Sequence, residues 1–140
     1  MVDRAQPLVQ DANFDEDLTL PTADGTVQTT GFDLGAMSAR GAFLAQCELR
    51  ISSPALNTTQ LPNDDTLTYS VEACDDNSSW DVVLADEVLV QTGAGGAGAA
   101  AAVARFRLPS DCPRYIRVKA IAAGGTGDIS GASADVSLLF

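Results

Sequence analysis

The sequence predicts an all-β protein, an antiparallel two-sheet sandwich of jelly-roll type with about eight strands. Three observations lead there. Segment after segment alternates apolar and polar residues with period two. Clusters of Pro, Gly, Asn and Asp separate these segments at short intervals. The alternation also excludes a parallel α/β core, whose central strands are buried on both faces and read as continuous apolar runs.

The elements follow in order. Residues 1–13 read as an extended N-terminal arm, and 14–140 as a single sandwich domain. "FDEDLTLP" (14–21) is a short strand closed by Pro21, and "TVQTTGFDLG" (26–35) a Thr-rich alternating one. "AMSARGAFLAQ" (36–46) has room for a helical turn or two, interrupted by Gly41. "AQCELRISS" (45–53) sets Cys47, Leu49 and Ile51 against Glu48, Arg50 and Ser52, and Pro54 ends it. After the turn "PNDD" (62–65), "TLTYSVEAC" (66–74) puts Leu67, Tyr69, Val71 and Ala73 on one face. "DDNSS" (75–79) is a hairpin turn, and "WDVVLADEVLVQT" (80–92) a β-branched strand of less regular pattern. "AVARFRLP" (102–109) alternates Ala104, Phe106 and Leu108 with Val103, Arg105 and Arg107. "RYIRVKAIAA" (114–123) places Ile116, Val118 and Ala120 inward, and "ASADVSLLF" (132–140) does the same with Ala134, Val136 and Leu138.

The chain has 140 residues, 46% of them hydrophobic and 19% charged, which suits one globular domain with its own core. No apolar run reaches the roughly 18 residues of a membrane span, and the N-terminal stretch lacks a signal-peptide pattern. The expectation is therefore a protein made in a cytoplasm, with no membrane partner. Histidine is absent, which removes the usual Ser and Cys triads, the HExxH zinc site and His-based acid–base chemistry. Cys47, Cys74 and Cys112 fit no C-x-x-C pattern and read as small buried hydrophobes, with one disulfide as the alternative. No enzyme activity and no cofactor are expected.

The formal net charge is −11, yet five of the eight basic side chains, Arg105, Arg107, Arg114, Arg117 and Lys119, fall in residues 101–140. This balance does not suit nucleic-acid binding. It suits an ordinary solvated face or a local docking surface for an acidic partner or for the acidic part of another copy of this chain. If segments 102–109 and 114–123 pair as neighbours, Arg105, Arg107, Arg117 and Lys119 lie together on one sheet face.

Several motifs invite sharper readings. Gly93, Gly95 and Gly98 complete a G-x-G-x-x-G after an apolar run. A dinucleotide loop, however, needs a βαβ unit and an acid at the end of its second strand, and neither follows. The Gly/Ala segment 93–102 reads instead as an interstrand loop that touches another protein chain. Asp75, Asn77, Ser79, Asp81 and Asp86 echo a calcium loop, but Trp80 stands where its glycine belongs; a solvated Asx turn is the plainer reading. Asn57-Thr58-Thr59 and Asn77-Ser78-Ser79 match glycosylation sequons. Asp15, Glu16 and Asp17, with Asp64 and Asp65, read as surface charge rather than as a hydrolase pair. Trp80, Tyr69 and Tyr115 offer a sugar-stacking platform or, more simply, core and sheet-face packing, so a carbohydrate-binding module is the alternative function.

The acidic start "DANFDEDLTL", the strand–turn–strand "TLTYSVEACDDNSSWDVV" and the late "CPRYIRVKAIAAGGTGDISGASADVSLLF" together resemble the jelly-roll cement, or decoration, proteins of tailed bacteriophage capsids. The resemblance spans roughly residues 11–140 and is a pattern of β-segments, without a short motif. It implies a structural role on the outer surface of the virion, with the major capsid protein as partner and a trimer as the oligomer. The contact residues expected on this reading are Arg105, Arg107, Arg114, Arg117, Lys119, Gly93, Gly95 and Gly98.

Overall fold

Alternation becomes two stacked antiparallel sheets. A computed structural model of the chain describes residues 10–35 and 47–139. Nine strands run in chain order: β1 (Gln10–Thr19), β2 (Gly25–Gln28), β3 (Phe32–Asp33), β4 (Glu48–Ser53), β5 (Thr66–Cys74), β6 (Val82–Thr92), β7 (Ala102–Arg107), β8 (Tyr115–Ala123) and β9 (Ser133–Leu139). One sheet has the order β1-β9-β4-β7; the other has β2-β8-β5-β6, with β3 also on β8. β1 begins at Gln10, within the segment expected as an arm. The helical turns expected at 36–46 lie outside the described residues.

The pairing is nested. β5 pairs β6, β4 pairs β7, β2 pairs β8 and β1 pairs β9, all antiparallel. Successive pairs alternate between the two sheets, as a long hairpin does when rolled onto itself, and this is the jelly-roll order. β2 and β3 together occupy one strand position beside β8. They are split at Thr29, whose Oγ1 accepts the Val118 N–H at 3.1 Å in place of a backbone carbonyl.

The core lies between the sheets. Leu49 and Ile51 from β4, Leu67, Tyr69 and Val71 from β5, Ile116 and Val118 from β8, and Val136 and Leu138 from β9 are all buried there. The expected faces of β4, β5, β8 and β9 are the observed ones. Leu56, Leu61, Leu108, Cys112 and Ile129 close the ends from the loops. All three cysteines are buried, and burial pushes the Cys47 thiol up from its ordinary range.

β6 explains its own irregular pattern. Its register against β5 shifts twice, between Tyr69 and Val71 and again between Val71 and Glu72. The extra residues bend the strand and break the period, so no single parity faces the core.

Candidate functional site

The glycine–alanine tip is a folded loop. Gly93 donates its N–H to Asp65 O at 3.0 Å and accepts from Asp64 at 2.9 Å. Ala94 N–H reaches Gly98 O, and Leu56 and Ala99 exchange both backbone bonds at 2.9 Å. Asn63 Oδ1 accepts the Gly96 N–H. The glycines serve this geometry. A Cβ at Gly93 would collide with the Leu61 and Pro62 carbonyls, and one at Gly98 with Leu56 O. The spacing of a dinucleotide loop thus arises from main chain packed on main chain at Gly93 and Gly98 and from a left-handed backbone at Gly95.

A buried polar network fixes the base of the tip. Ser53 Oγ donates to Gln91 Oε1 at 2.6 Å, which leaves it to accept from the Tyr69 hydroxyl at 2.6 Å. Gln91 Nε2 donates to Pro54 O and Ala100 O, tying the loop's return to the end of β4. Burial pushes the Tyr69 hydroxyl up to about 12, against the lowering effect of Ser53. Sequence reasoning missed this network. Its one signal was Gln91, a polar residue opposite Leu67 in the register of a buried face.

Beside the tip runs an open trough of about 550 Å³, lined by Ala55, Leu56, Asn57, Gln60 and Ala97 to Ala100. None of these carries a charge. Ala55, Ala97, Gly98, Ala99 and Ala100 have no side-chain rotamers to lose, so this part of the lining costs little to immobilise against another chain.

The expected single-face stripe of cations does not form. β7 ends one sheet and β8 lies inside the other, so Arg105 and Arg107 stand on the opposite side of the sandwich from Arg117 and Lys119. The cause is the turn at 109–113, which crosses between sheets instead of closing a hairpin. Each group meets its own carboxylate. Arg105 and Arg107 both reach Glu48 at 3.4 Å. Arg117 and Lys119 hold Glu72 at 2.8 and 3.2 Å, with that carboxylate almost fully covered. Arg114 grips Asp33 through Nε and a terminal nitrogen at 2.8 and 3.0 Å, and this holds the Asp33 carboxyl below the usual range.

The aromatic residues do not gather into a platform. Tyr69 is in the core, Trp80 lies against the Arg117 guanidinium at 4.5 Å, and Tyr115 sits under Arg114 at 5.1 Å. The calcium-like segment is an Asx turn. Asp76 accepts the N–H groups of Ser78 and Ser79, which pull its carboxyl down to about 2. Among the described residues, no group of three His, Cys, Asp or Glu side chains is placed to hold a metal. In the sequon at Asn57, the side-chain oxygen accepts from Thr59 and Gln60 in a tight turn. Glu16 accepts from the Thr30 backbone and hydroxyl, while in the β1–β9 register Asp17 stands opposite Asp135 and Asp15 opposite Ser137. Burial, and next the hydrogen bond with Asp15, raise the Asp135 carboxyl above its ordinary value.

No model of a known protein family and no curated protein sequence matches the chain.

Proposed function

We propose that this protein is a structural cement, or decoration, protein of a tailed-phage head. On this reading it is made in the host cytoplasm, binds the outer surface of the shell as a trimer and bridges neighbouring major capsid subunits. The observation that carries the reading is the tip. Gly93–Ala100 is hydrogen-bonded into a fixed shape and offers a wide, open, uncharged trough of small residues. The trough lies open to solvent and carries no charged group, which suits a segment of another protein. The rolled two-sheet block behind it supplies stiffness, and the loop supplies contact. A trimer engages several shell subunits at once, so modest contacts add through multivalency.

The test is co-sedimentation with purified expanded heads of the phage that carries the gene. Saturable binding at a fixed number of copies per shell is expected. Ala97→Glu with Ala100→Glu, both in the trough, is expected to weaken that binding by about a hundredfold, or roughly 2.7 kcal/mol. Failure of the unaltered protein to sediment with those heads overturns the reading.

A further inference from the structure

Among the described residues, every large apolar side chain that stands exposed lies on β6 or β7: Val82, Val83 and Val90 on β6, Val103 on β7, between 39% and 60% accessible. These two strands end their sheets and contact each other across one side of the sandwich. Between the valines, Leu84, Val88, Leu89 and Phe106 pack on the core but are only half-buried. The apolar strip therefore wraps an open edge, from the outer side of one sheet to the outer side of the other. Charge is divided along it. Asp86 and Glu87 stand exposed on β6, while Arg105 and Arg107 on β7 are largely exposed and share the single carboxylate of Glu48, which leaves a positive excess there.

We infer that this edge binds a second copy of the same chain, with β6 of one copy against β7 of the next. An exposed apolar edge strand promotes association unless something covers it. An acidic partner suits Arg105 and Arg107 but is repelled by Asp86 and Glu87, and a basic partner meets the reverse conflict. A copy of this chain satisfies both, because acids on β6 meet arginines on β7. The two register shifts in β6 bend it away from a straight ladder, which disfavours open-ended strand addition and favours closure. Made reciprocally between two copies, the contact is isologous and gives a two-fold pair; made onward from copy to copy, it is head-to-tail and closes as a ring when the rotation allows. The trimer expected of a decoration protein is such a ring; for that number the inference rests on the reading above, while the surface and the partner do not.

Sedimentation velocity on the purified chain at tens of micromolar tests it. A small closed oligomer is expected, and Val83→Lys with Val103→Lys is expected to give the mass of one chain. Circular dichroism and the melting temperature of that variant should stay near those of the parent, since both valines already face water. Asp86→Arg with Glu87→Arg is expected to weaken assembly by at least about tenfold, and adding Arg105→Glu, Arg107→Glu and Glu48→Gln, the last to spare the new acids their present partner carboxylate, to restore it. A parent protein that is monomeric, or an oligomer that survives the valine substitutions, overturns the inference. If the parent is monomeric and the valine substitutions abolish shell binding, the edge belongs to the shell; the self-contact falls and the decoration reading stands. An oligomer that dissociates as expected, from a protein with no affinity for heads, supports the edge and removes the decoration reading.

Discussion

Gly95 and Gly98 share a residue type and a positive φ, +62° and +70°, but not an environment. Nothing lies near a Cβ placed on Gly95, whereas one on Gly98 runs into the Leu56 carbonyl. Gly95→Ala is expected to cost about 1–2 kcal/mol, the strain of a left-handed backbone alone. Gly98→Ala must also push main chain aside and is expected to cost about 3–4 kcal/mol. Urea unfolding compares the two, and equal midpoints would mean that the tip does not pack on residues 56–57. The sequence showed that the glycines were there, and the missing helix and missing acid argued against a cofactor. It did not show which glycine was held by contact and which by backbone angle. That depends on residues 56–65, which the fold brings from some thirty to forty positions upstream.

At the scale of the strand, periodicity carried most of what was legible. β4, β5, β8 and β9 bury the side chains their alternation assigns, because a strand with one wet and one dry face leaves no other choice. β6 escaped because bulges reset its parity. The basic residues were found on the right strands, and the assumption that those strands were neighbours was wrong. Their pairings differ in weight. Glu72 is covered and holds two cations, so Glu72→Gln is expected to cost about 1–3 kcal/mol by leaving Arg117 and Lys119 poorly compensated. Arg105→Ala removes a long, solvated contact and is expected to cost less than about 1 kcal/mol. Thermal melts of the two variants measure the difference; an equal loss would mean that the β7 arginines are far less solvated than their exposure indicates.

At the scale of the molecule, carboxylates tie loops together, two across the fold and two within a single turn. Asp24 binds Thr126 and Gly125, Asp33 binds Arg114 and Gly35, and Asp76 and Asp128 close their own turns. All four are pulled below the ordinary value of 3.8 by these bonds. A carboxyl with a depressed folded pKa adds stability above its unfolded pKa and loses it as pH falls toward the folded one. Stability should therefore hold near neutrality and drop between about pH 4 and the value near 2 of Asp76. Asp135, raised by burial and by Asp15, acts in the opposite sense and softens the drop. Asp76→Asn should flatten the melting temperature against pH across that window, and an unchanged slope would show that Asp76 does not contribute to it. The turn at Asp76 was readable along the chain; the long-range bonds were not, and Asp24 and Thr126 look there like two unrelated turn residues.

The nested pairing also sets an order of assembly during synthesis. Every strand of the β2-β8-β5-β6 sheet, β3 included, lies before Gly124, but the other sheet has a gap between β1 and β4 until residues 133–139 dock. The interval lasts until β9 has left the ribosome and taken its place. For its duration the first sheet has no finished partner to cover Leu67, Val71, Ile116 and Val118. The nascent chain thus passes through a stage in which half of its future interior is open to water, to a chaperone or to another nascent copy.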